Sequence, residues 1–304
     1  MEGSSRWALV TAVAPIAWGS NYWVTRHALP ADFPLYGALI RALPAGLLLL
    51  ALRPRLPRGA WWWRSLVLGA MNVGAFFAMI YAAAQLLPTS IASMIMATSP
   101  IALMLFAWLI VAERPRVPAA VGASIGIAGV VTMLAGGAGA VDPLGVAASV
   151  AAMALSSVGY LLAKRWGGDI DVLTLTAWQL VAGGGMLAVA AVVFEGGPPP
   201  VDATAALGFI YVSGVATALA FACWFAGLRH LDAGSVGLVG LLNPVTGVLL
   251  GTLLAGETLG VRQCAGIVLV FVGILLGRPV LRSVRGRAAR APAVRRAGRS
   301  VARR

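Results

Sequence analysis

Charged side chains are scarce in this sequence. Only 11% of the 304 residues are charged and 60% are hydrophobic, whereas about 25% of residues are charged in a typical soluble domain. A soluble fold of this length has too little interior to bury so much apolar surface. Long unbroken apolar runs also exclude a membrane β-barrel, whose strands alternate over about ten residues. The sequence therefore predicts an all-α polytopic membrane protein.

Cysteine and histidine are equally rare, with two of each. Cys223 and Cys264 lie in separate apolar runs, so neither a disulfide nor a metal site is expected. His27 and His230 are predicted at opposite membrane faces. The segment Gly122–Gly126, which matches G-x-S-x-G, therefore has no triad partners. Because the sequence also has no phosphate-binding loop or zinc motif, we expect neither an enzyme nor a cofactor.

Ten apolar runs are long enough to cross a bilayer, since a spanning helix needs about 20 residues. Short linkers rich in glycine and proline separate several of the runs. The predicted spans are Trp7–Ala28, Pro34–Leu52, Ser65–Leu87, Ser90–Ala112, Val117–Ala135, Pro143–Ala163, Val172–Phe194, Thr204–Leu228, Ala233–Ala255 and Val261–Val280.

The basic residues lie mostly on one side of these spans. If the N-terminus is cytoplasmic, twenty of the 23 Lys and Arg residues face the cytoplasm, as the positive-inside rule requires. Both termini are therefore predicted to be cytoplasmic, in a cell inner membrane. Topology accounts for the net charge of +13, and no nucleic-acid partner is expected.

The Arg-rich tail, residues 282–304, cannot bury a core and is predicted to be disordered. We expect it to lie against anionic lipids; a regulatory or partner-binding tail is the alternative.

The two halves of the chain repeat one another. A shift of 144 residues superimposes a mid-helix proline, a helix-ending glutamate and two glycines of the next helix. The matched pairs are Phe77 and Phe221, Pro100 and Pro244, Glu113 and Glu257, Gly122 and Gly266, and Gly129 and Gly273. Upstream, a shift of 138 residues places Tyr22 on Tyr160, Arg26 on Lys164 and Arg41 on Gln179.

Each half holds five predicted spans, and five is odd, so the second half enters the membrane from the opposite side. The predicted units are residues 7–135 and 143–281, followed by the tail. Such inverted repeats are typical of secondary transporters, whose substrate path lies between the repeats near the bilayer midplane.

Several motifs resemble the EamA-type branch of the drug/metabolite transporter superfamily. Residues 81–129 contain Y-A-A-A-Q-L-L-P-T-S and A-E-R-P, and residues 225–273 repeat the pattern with Asn243-Pro244. The first span carries W-G-S-N at residues 18–21. The resemblance covers about residues 7–281 and implies ten helices, cytoplasmic termini and export of small metabolites such as amino acids. The second half departs from the first, with S-S at residues 156–157 in place of W-G.

Arg41 is the sharpest functional signal in the sequence. It lies about seven residues into the second span, or about 10 Å below the membrane boundary, and a charge at that depth faces protein or water by default. It is interpreted either as a dock for an anionic group such as a carboxylate or as a structural arginine. Mid-span amides and aromatic residues complete the predicted substrate-binding set, and interhelical bonding or core packing is the alternative for each. The set is Trp18, Asn21, Tyr22, Arg41, Asn72, Phe76, Tyr160, Gln179, Trp224 and Asn243.

All ten acidic residues lie at or beyond the ends of predicted spans, so a deep carboxylate relay is unsupported. Transport would be facilitated diffusion or would couple to protons through an edge group such as His27. Glu113 opposes the dipole of the helix that it ends, and we expect Arg114 or Arg116 to compensate it.

The sequence thus predicts a transporter that exports a small zwitterionic metabolite by alternating access, with the lipid bilayer as its other partner. A lipid or head-group handling protein and a passive channel are the alternatives. Helices around Arg41 would favour a carrier, and lipid around Arg41 would favour the lipid-handling protein.

Overall fold

The computed structural model describes residues 2–28, 33–87, 92, 95–134, 142–255 and 260–277. In these ranges the regular structure is helical throughout and contains no strand. The helices are α1 (Glu2–Ala28), α2 (Pro34–Leu52), α3 (Trp61–Gly69), π1 (Ala70–Gly74), α4 (Ala75–Leu86), α5 (Ser99–Val111), α6 (Val117–Leu134), α7 (Pro143–Trp166), α8 (Val172–Phe194), α9 (Ala203–Ser213), π2 (Gly214–Leu219), α10 (Ala220–His230), α11 (Ala233–Gly240), α12 (Leu242–Ala255) and α13 (Val261–Gly277). The prediction of an all-α fold is confirmed.

Most of these helices have the length and composition of membrane spans. Among the described residues, seven continuous helical stretches are long and apolar enough to cross a bilayer, and α5 and α13 are shorter apolar helices. Large apolar side chains such as Phe194, Leu253 and Leu275 are exposed on the outside of the bundle, where lipid would cover them. The chain is therefore a multi-pass membrane protein. The count of ten spans stays a prediction.

Aspartates begin many of the helices, which explains why acids lie at span ends. Asp142, Asp171, Asp202 and Asp232 precede α7, α8, α9 and α11, and each side chain accepts a hydrogen bond from a backbone N–H of the first turn. Glu195 does the same across the bundle, because its carboxylate accepts from the first N–H groups of α2. These carboxylates satisfy helix donors that would otherwise have no partner.

The helices pack in pairs that the sequence repeat relates to one another. Helix α2 packs along α8, and α6 packs along α13. In the repeat, α1 corresponds to α7, α4 to α10 and α5 to α12. Helix α1 packs against α10 and α12, and α7 packs against the corresponding helices α4 and α5. The π-helical segments π1 and π2 also begin at positions related by the same 144-residue shift. The inverted orientation and the boundaries 7–135 and 143–281 stay predictions, and the tail 282–304 lies outside the described residues.

The two repeated prolines lie where helices begin. Helix α5 begins at Ser99, beside Pro100, while α11 ends at Gly240 and α12 begins two residues before Pro244. Proline fits the first turn of a helix because its missing N–H would have no intrahelical acceptor there. The corresponding apolar runs are therefore broken at equivalent points of the two halves.

Candidate substrate site

Arg41 of α2 is half-buried and contacts side chains of other helices. The guanidinium carbon is 4.6 Å from the centre of the Phe77 ring on α4. Its Nε donates a hydrogen bond of 3.2 Å to the hydroxyl of Thr217, a fully buried residue of π2. Two elements other than α2, namely α4 and π2, thus contact the side chain of Arg41.

Five aromatic side chains, among them Phe221 four residues after Thr217, form what we call the aromatic cluster. The indole of Trp18 on α1 is 5.2 Å from that of Trp224 and 5.3 Å from the ring of Phe221, measured between ring centres. Tyr160 lies 5.7 Å from both Trp224 and Phe225. Most of these contacts are edge-on or tilted, as ring quadrupoles prefer. The cluster joins α1, α7 and α10.

Trp224 is only 3% exposed, so the aromatic rings fill this region in the present conformation. Its indole nitrogen is buried and has no hydrogen-bond partner among the described residues. Buried indole N–H groups usually have a partner. This donor is therefore available to a polar group that enters the cluster.

Asn72 and Gln179 form a buried pair between π1 and α8. The Asn72 amide nitrogen donates to the Gln179 side-chain oxygen at 2.6 Å, and both residues are almost fully buried. Gly159 of α7 packs directly against the Asn72 amide. In this conformation the two amides therefore form an interhelical hydrogen bond. This is the role that the sequence analysis gave as the alternative to substrate binding.

The remaining residues of the predicted set are dispersed around this core. Phe76 is half-buried and lies 5.5 Å from Phe77, between ring centres. The Asn21 side-chain oxygen is buried and has no hydrogen-bond partner among the described residues. Asn243 is half-buried near the start of α12, and its backbone carbonyl oxygen lies against Gly19 of α1. The side chain of Tyr22 lies outside the described residues. Their roles in binding stay predictions.

Thr217, Phe77, Phe221 and Phe225 were not in the predicted set. Phe77 and Phe221 coincide in the sequence repeat, so the repeat already carried a signal for two of the rings. Nothing in the sequence distinguished Thr217 from the other hydroxyl residues of the apolar runs. Its importance comes from π2, which presents the hydroxyl to Arg41.

A second polar site, also missed from the sequence, is the ion pair of Glu113 and Lys164. The Lys164 ammonium lies 2.8 and 3.0 Å from the two carboxylate oxygens and also donates to the Leu231 carbonyl oxygen at 2.9 Å. The backbone N–H of Ala233 donates to the same carboxylate at 3.0 Å. The Lys164 side chain is fully buried.

The partners that the structure shows for Glu113 were not among those expected from the sequence. The structure pairs Glu113 with Lys164 and the first N–H of α11, whereas Arg116 lies 3.7 Å from Asp232. The reason is tertiary: the end of α5 meets the end of α7 and the beginning of α11. A small open recess adjoins the pair and is lined in part by Glu113, Arg116 and Asp232.

The described residues contain no group of three His, Cys, Asp or Glu side chains placed to hold a metal ion. The fold and the half-buried arginine define a class of protein: a polytopic helical membrane protein with a charged group in contact with several of its helices, as expected for a small-molecule carrier. Comparison with known proteins specifies the family. The EamA-like transporter family matches residues 5–135 and again residues 143–277. The chain belongs to this family.

Curated relatives and a solved structure agree with that assignment. The chain is 35% identical to Protein PecM of Dickeya dadantii, over 86% of this chain and 89% of that protein. It is 28% identical to the uncharacterized inner membrane transporter YedA of Escherichia coli K12, over 86% and 87%. It is 25% identical to the probable amino-acid metabolite efflux pump of Salmonella typhimurium, over 86% and 91%. A protein crystal structure with 21% identity matches with a TM-score of 0.77 over 90% of this chain and 98% of that chain, which supports the fold.

The resemblance drawn from the sequence motifs is therefore confirmed, and the protein is a membrane transporter of the drug/metabolite superfamily. The family and several of these relatives are named as transporters, in agreement with the expectation that the chain is not an enzyme.

Proposed function

We propose that this protein is a secondary transporter that exports small zwitterionic metabolites, amino acids or related compounds, from the cytoplasm by alternating access. The name of the Salmonella relative, a probable amino-acid metabolite efflux pump, supports this cargo class. The name of YedA supports an inner-membrane location. The two termini would be cytoplasmic, since that orientation places most basic residues inside.

The contacts of Arg41 with other helices of the bundle carry the proposal. A guanidinium in a low-dielectric bundle attracts an anionic group strongly, and its planar fork matches a carboxylate. Its observed neighbours, Thr217 and Phe77, belong to π2 and α4. These contacts with two other elements favour a carrier over a protein that handles lipid in a lateral groove.

The other members of the site would contact the rest of the cargo. Rings of the aromatic cluster offer apolar walls, and their faces attract an ammonium group. Asn21 and Asn243 would supply hydrogen bonds, as would the indole nitrogen of Trp224, which is buried without a partner among the described residues. Because the sequence has no acid deep in a span, the cargo ammonium would be held by dipoles and ring faces.

The π-helical segments would be the moving parts of the site. Segment π1 contains Asn72, and π2 contains Thr217. Such segments have fewer regular backbone hydrogen bonds and often mark functional sites in helices. Rearrangement of the two segments, at equivalent points of the two repeats, would change the contacts of Arg41 and of Gln179 together.

Counterflow in proteoliposomes tests this function. Liposomes loaded with unlabelled amino acids would take up the labelled compound in exchange, and uptake would saturate. We expect Arg41→Ala to reduce exchange at least about tenfold, since a charge-assisted hydrogen bond contributes about 1.5–3 kcal/mol. Arg41→Lys would retain part of the activity.

The matched control is Arg53→Gln, which removes a charge from the exposed linker after α2 and should leave exchange unchanged. Full exchange in Arg41→Ala for every transported compound would eliminate Arg41 as the dock. Uptake without saturation or counterflow would indicate a passive channel. Dependence of uptake on a pH gradient would distinguish proton coupling from facilitated diffusion.

A further inference from the structure

We propose that the Glu113–Lys164 ion pair is a gate of the transport path, closed in this structure, and that it must break for cargo to enter from the cytoplasm. This inference rests on the proposed transport function. It concerns residues that lie outside the substrate site and that the sequence had placed at the ends of spans.

The pair connects parts of the chain that belong to different repeats. Glu113 follows α5 in the first half, and Lys164 is in the last turn of α7 in the second half. At the junction of α10 and α11, the Lys164 ammonium also donates a hydrogen bond to the Leu231 carbonyl oxygen, and the Glu113 carboxylate accepts one from the backbone N–H of Ala233. One ammonium and one carboxylate thus tie together four helix ends. By the basic-residue asymmetry, all four lie at the cytoplasmic end of the bundle.

The chemistry of this contact suits a connection that opens and closes. Desolvation cancels much of the attraction in a buried ion pair, so the closed state is held with little net free energy. Water reaches the pair on one side, because the Glu113 side chain is 19% exposed and lines the open recess. Hydration of both charges on opening would offset the lost contacts. A close-packed apolar contact would gain no comparable free energy of hydration on opening.

The sequence repeat supports a role shared by both halves. The 138-residue shift relates Lys164 to Arg26, and the 144-residue shift relates Glu113 to Glu257. The counterpart positions therefore carry the same two charges. An ion pair that only stabilised one end of the bundle would not require this correspondence.

Side-specific thiol labelling tests the gate without a known cargo. Thr217→Cys, in a Cys223→Ala and Cys264→Ala background, places one thiol beside Arg41. A membrane-impermeant maleimide would be applied to inside-out vesicles for the cytoplasmic face and to intact spheroplasts for the outer face. We expect Lys164→Met and Glu113→Gln to speed labelling from the cytoplasmic face about tenfold and to slow it from the outer face.

Lys164→Arg should keep the slow cytoplasmic labelling, because it preserves the charge pair. Arg116→Gln is the matched control, since it breaks a more exposed ion pair on the same face, and it should change neither rate. If the ion pair had only a structural role, breaking it would raise the labelling rate from both faces or from neither. Either pattern in folded, monodisperse protein would overturn the gate.

A double variant covers the case in which single variants fail to fold. Glu113→Cys with Lys164→Cys, in a background without the native cysteines, removes both charges and leaves no buried ion unpaired. A bifunctional thiol cross-linker should stop counterflow, and reductive cleavage of a disulfide-containing linker should restore it. Undiminished exchange in the cross-linked protein would refute the gate. Absence of exchange for all amino acids before cross-linking would instead refute the proposed cargo, and the labelling result would still decide the gate.

Discussion

The amide pair of Asn72 and Gln179 shows what a single contact contributes inside this bundle. The two side chains form a hydrogen bond of 2.6 Å between π1 and α8, and both are buried away from lipid and water. Hydrogen bonds between membrane helices average about 0.6 kcal/mol and reach about 1.7 kcal/mol, because unfolded segments in the bilayer also find partners. The contact is therefore worth measuring by a cycle of variants.

We predict a coupling of about 0.6–1.7 kcal/mol between Asn72→Leu and Gln179→Leu. Each single variant leaves the other amide without its partner, so the double variant should be less destabilised than the sum of the two. Equilibrium unfolding in mixed detergent micelles measures the three free energies. Strict additivity of the single effects would mean that the hydrogen bond contributes nothing measurable.

Arg41 illustrates how far residue chemistry alone leads. Its depth in an apolar run predicted that it faces protein or water, and the structure places it against α4 and π2. The identity of its partners required the tertiary fold, because Phe77 and Thr217 are distant in sequence. For Glu113 the sequence indicated neighbouring arginines, and the structure adds Lys164, because helix ends from other parts of the chain meet at this carboxylate.

Close helix crossings at glycine determine the geometry of α6 and α13. A methyl group built on Gly129 would lie 2.7 Å from the Gly266 carbonyl oxygen, which is closer than van der Waals contact permits. Gly185 of α8, in contrast, has open space where its side chain would be. Small residues let membrane helices approach closely, and packing is their main source of stability.

Gly129→Val should therefore destabilise the protein by about 1–3 kcal/mol, the usual range for overpacking. Gly185→Ala, the matched control in another helix, should be neutral or stabilise by up to about 1 kcal/mol through its higher helix propensity. Thermal unfolding of the purified protein in detergent compares the two. Equal melting temperatures for wild type and Gly129→Val would show that the crossing tolerates a wider separation.

At the scale of the whole molecule, the distribution of basic residues predicts one orientation. Twenty of the 23 Lys and Arg residues lie on one side of the ten predicted spans, and such loops stay in the cytoplasm. A cysteine at Gly197, in the linker between α8 and α9, should react with an impermeant maleimide in intact spheroplasts. An epitope tag after Arg304 should be accessible only in inside-out vesicles. A tag reached from outside would reverse the assigned topology.

The sequence by itself determined the class of protein, the positions of most helices and the family. Apolar runs of this length must satisfy their backbone hydrogen bonds internally in lipid, which leaves the helix as their regular structure. The ends of α2 and α8 therefore coincide with the predicted runs Pro34–Leu52 and Val172–Phe194. The internal repeat likewise predicted which helices correspond, and the equivalent helix contacts and π-helical segments follow it.

Only the tertiary structure decided which side chains meet. It placed Thr217 and Phe77 against Arg41, joined Asn72 to Gln179 and paired Glu113 with Lys164. Lipid solvates every apolar face alike, so hydropathy cannot tell which face of a helix packs inward or against what. That choice depends on small residues, ring shapes and polar groups that fit one another across helices, and this fit exists only once all of the helices are in place.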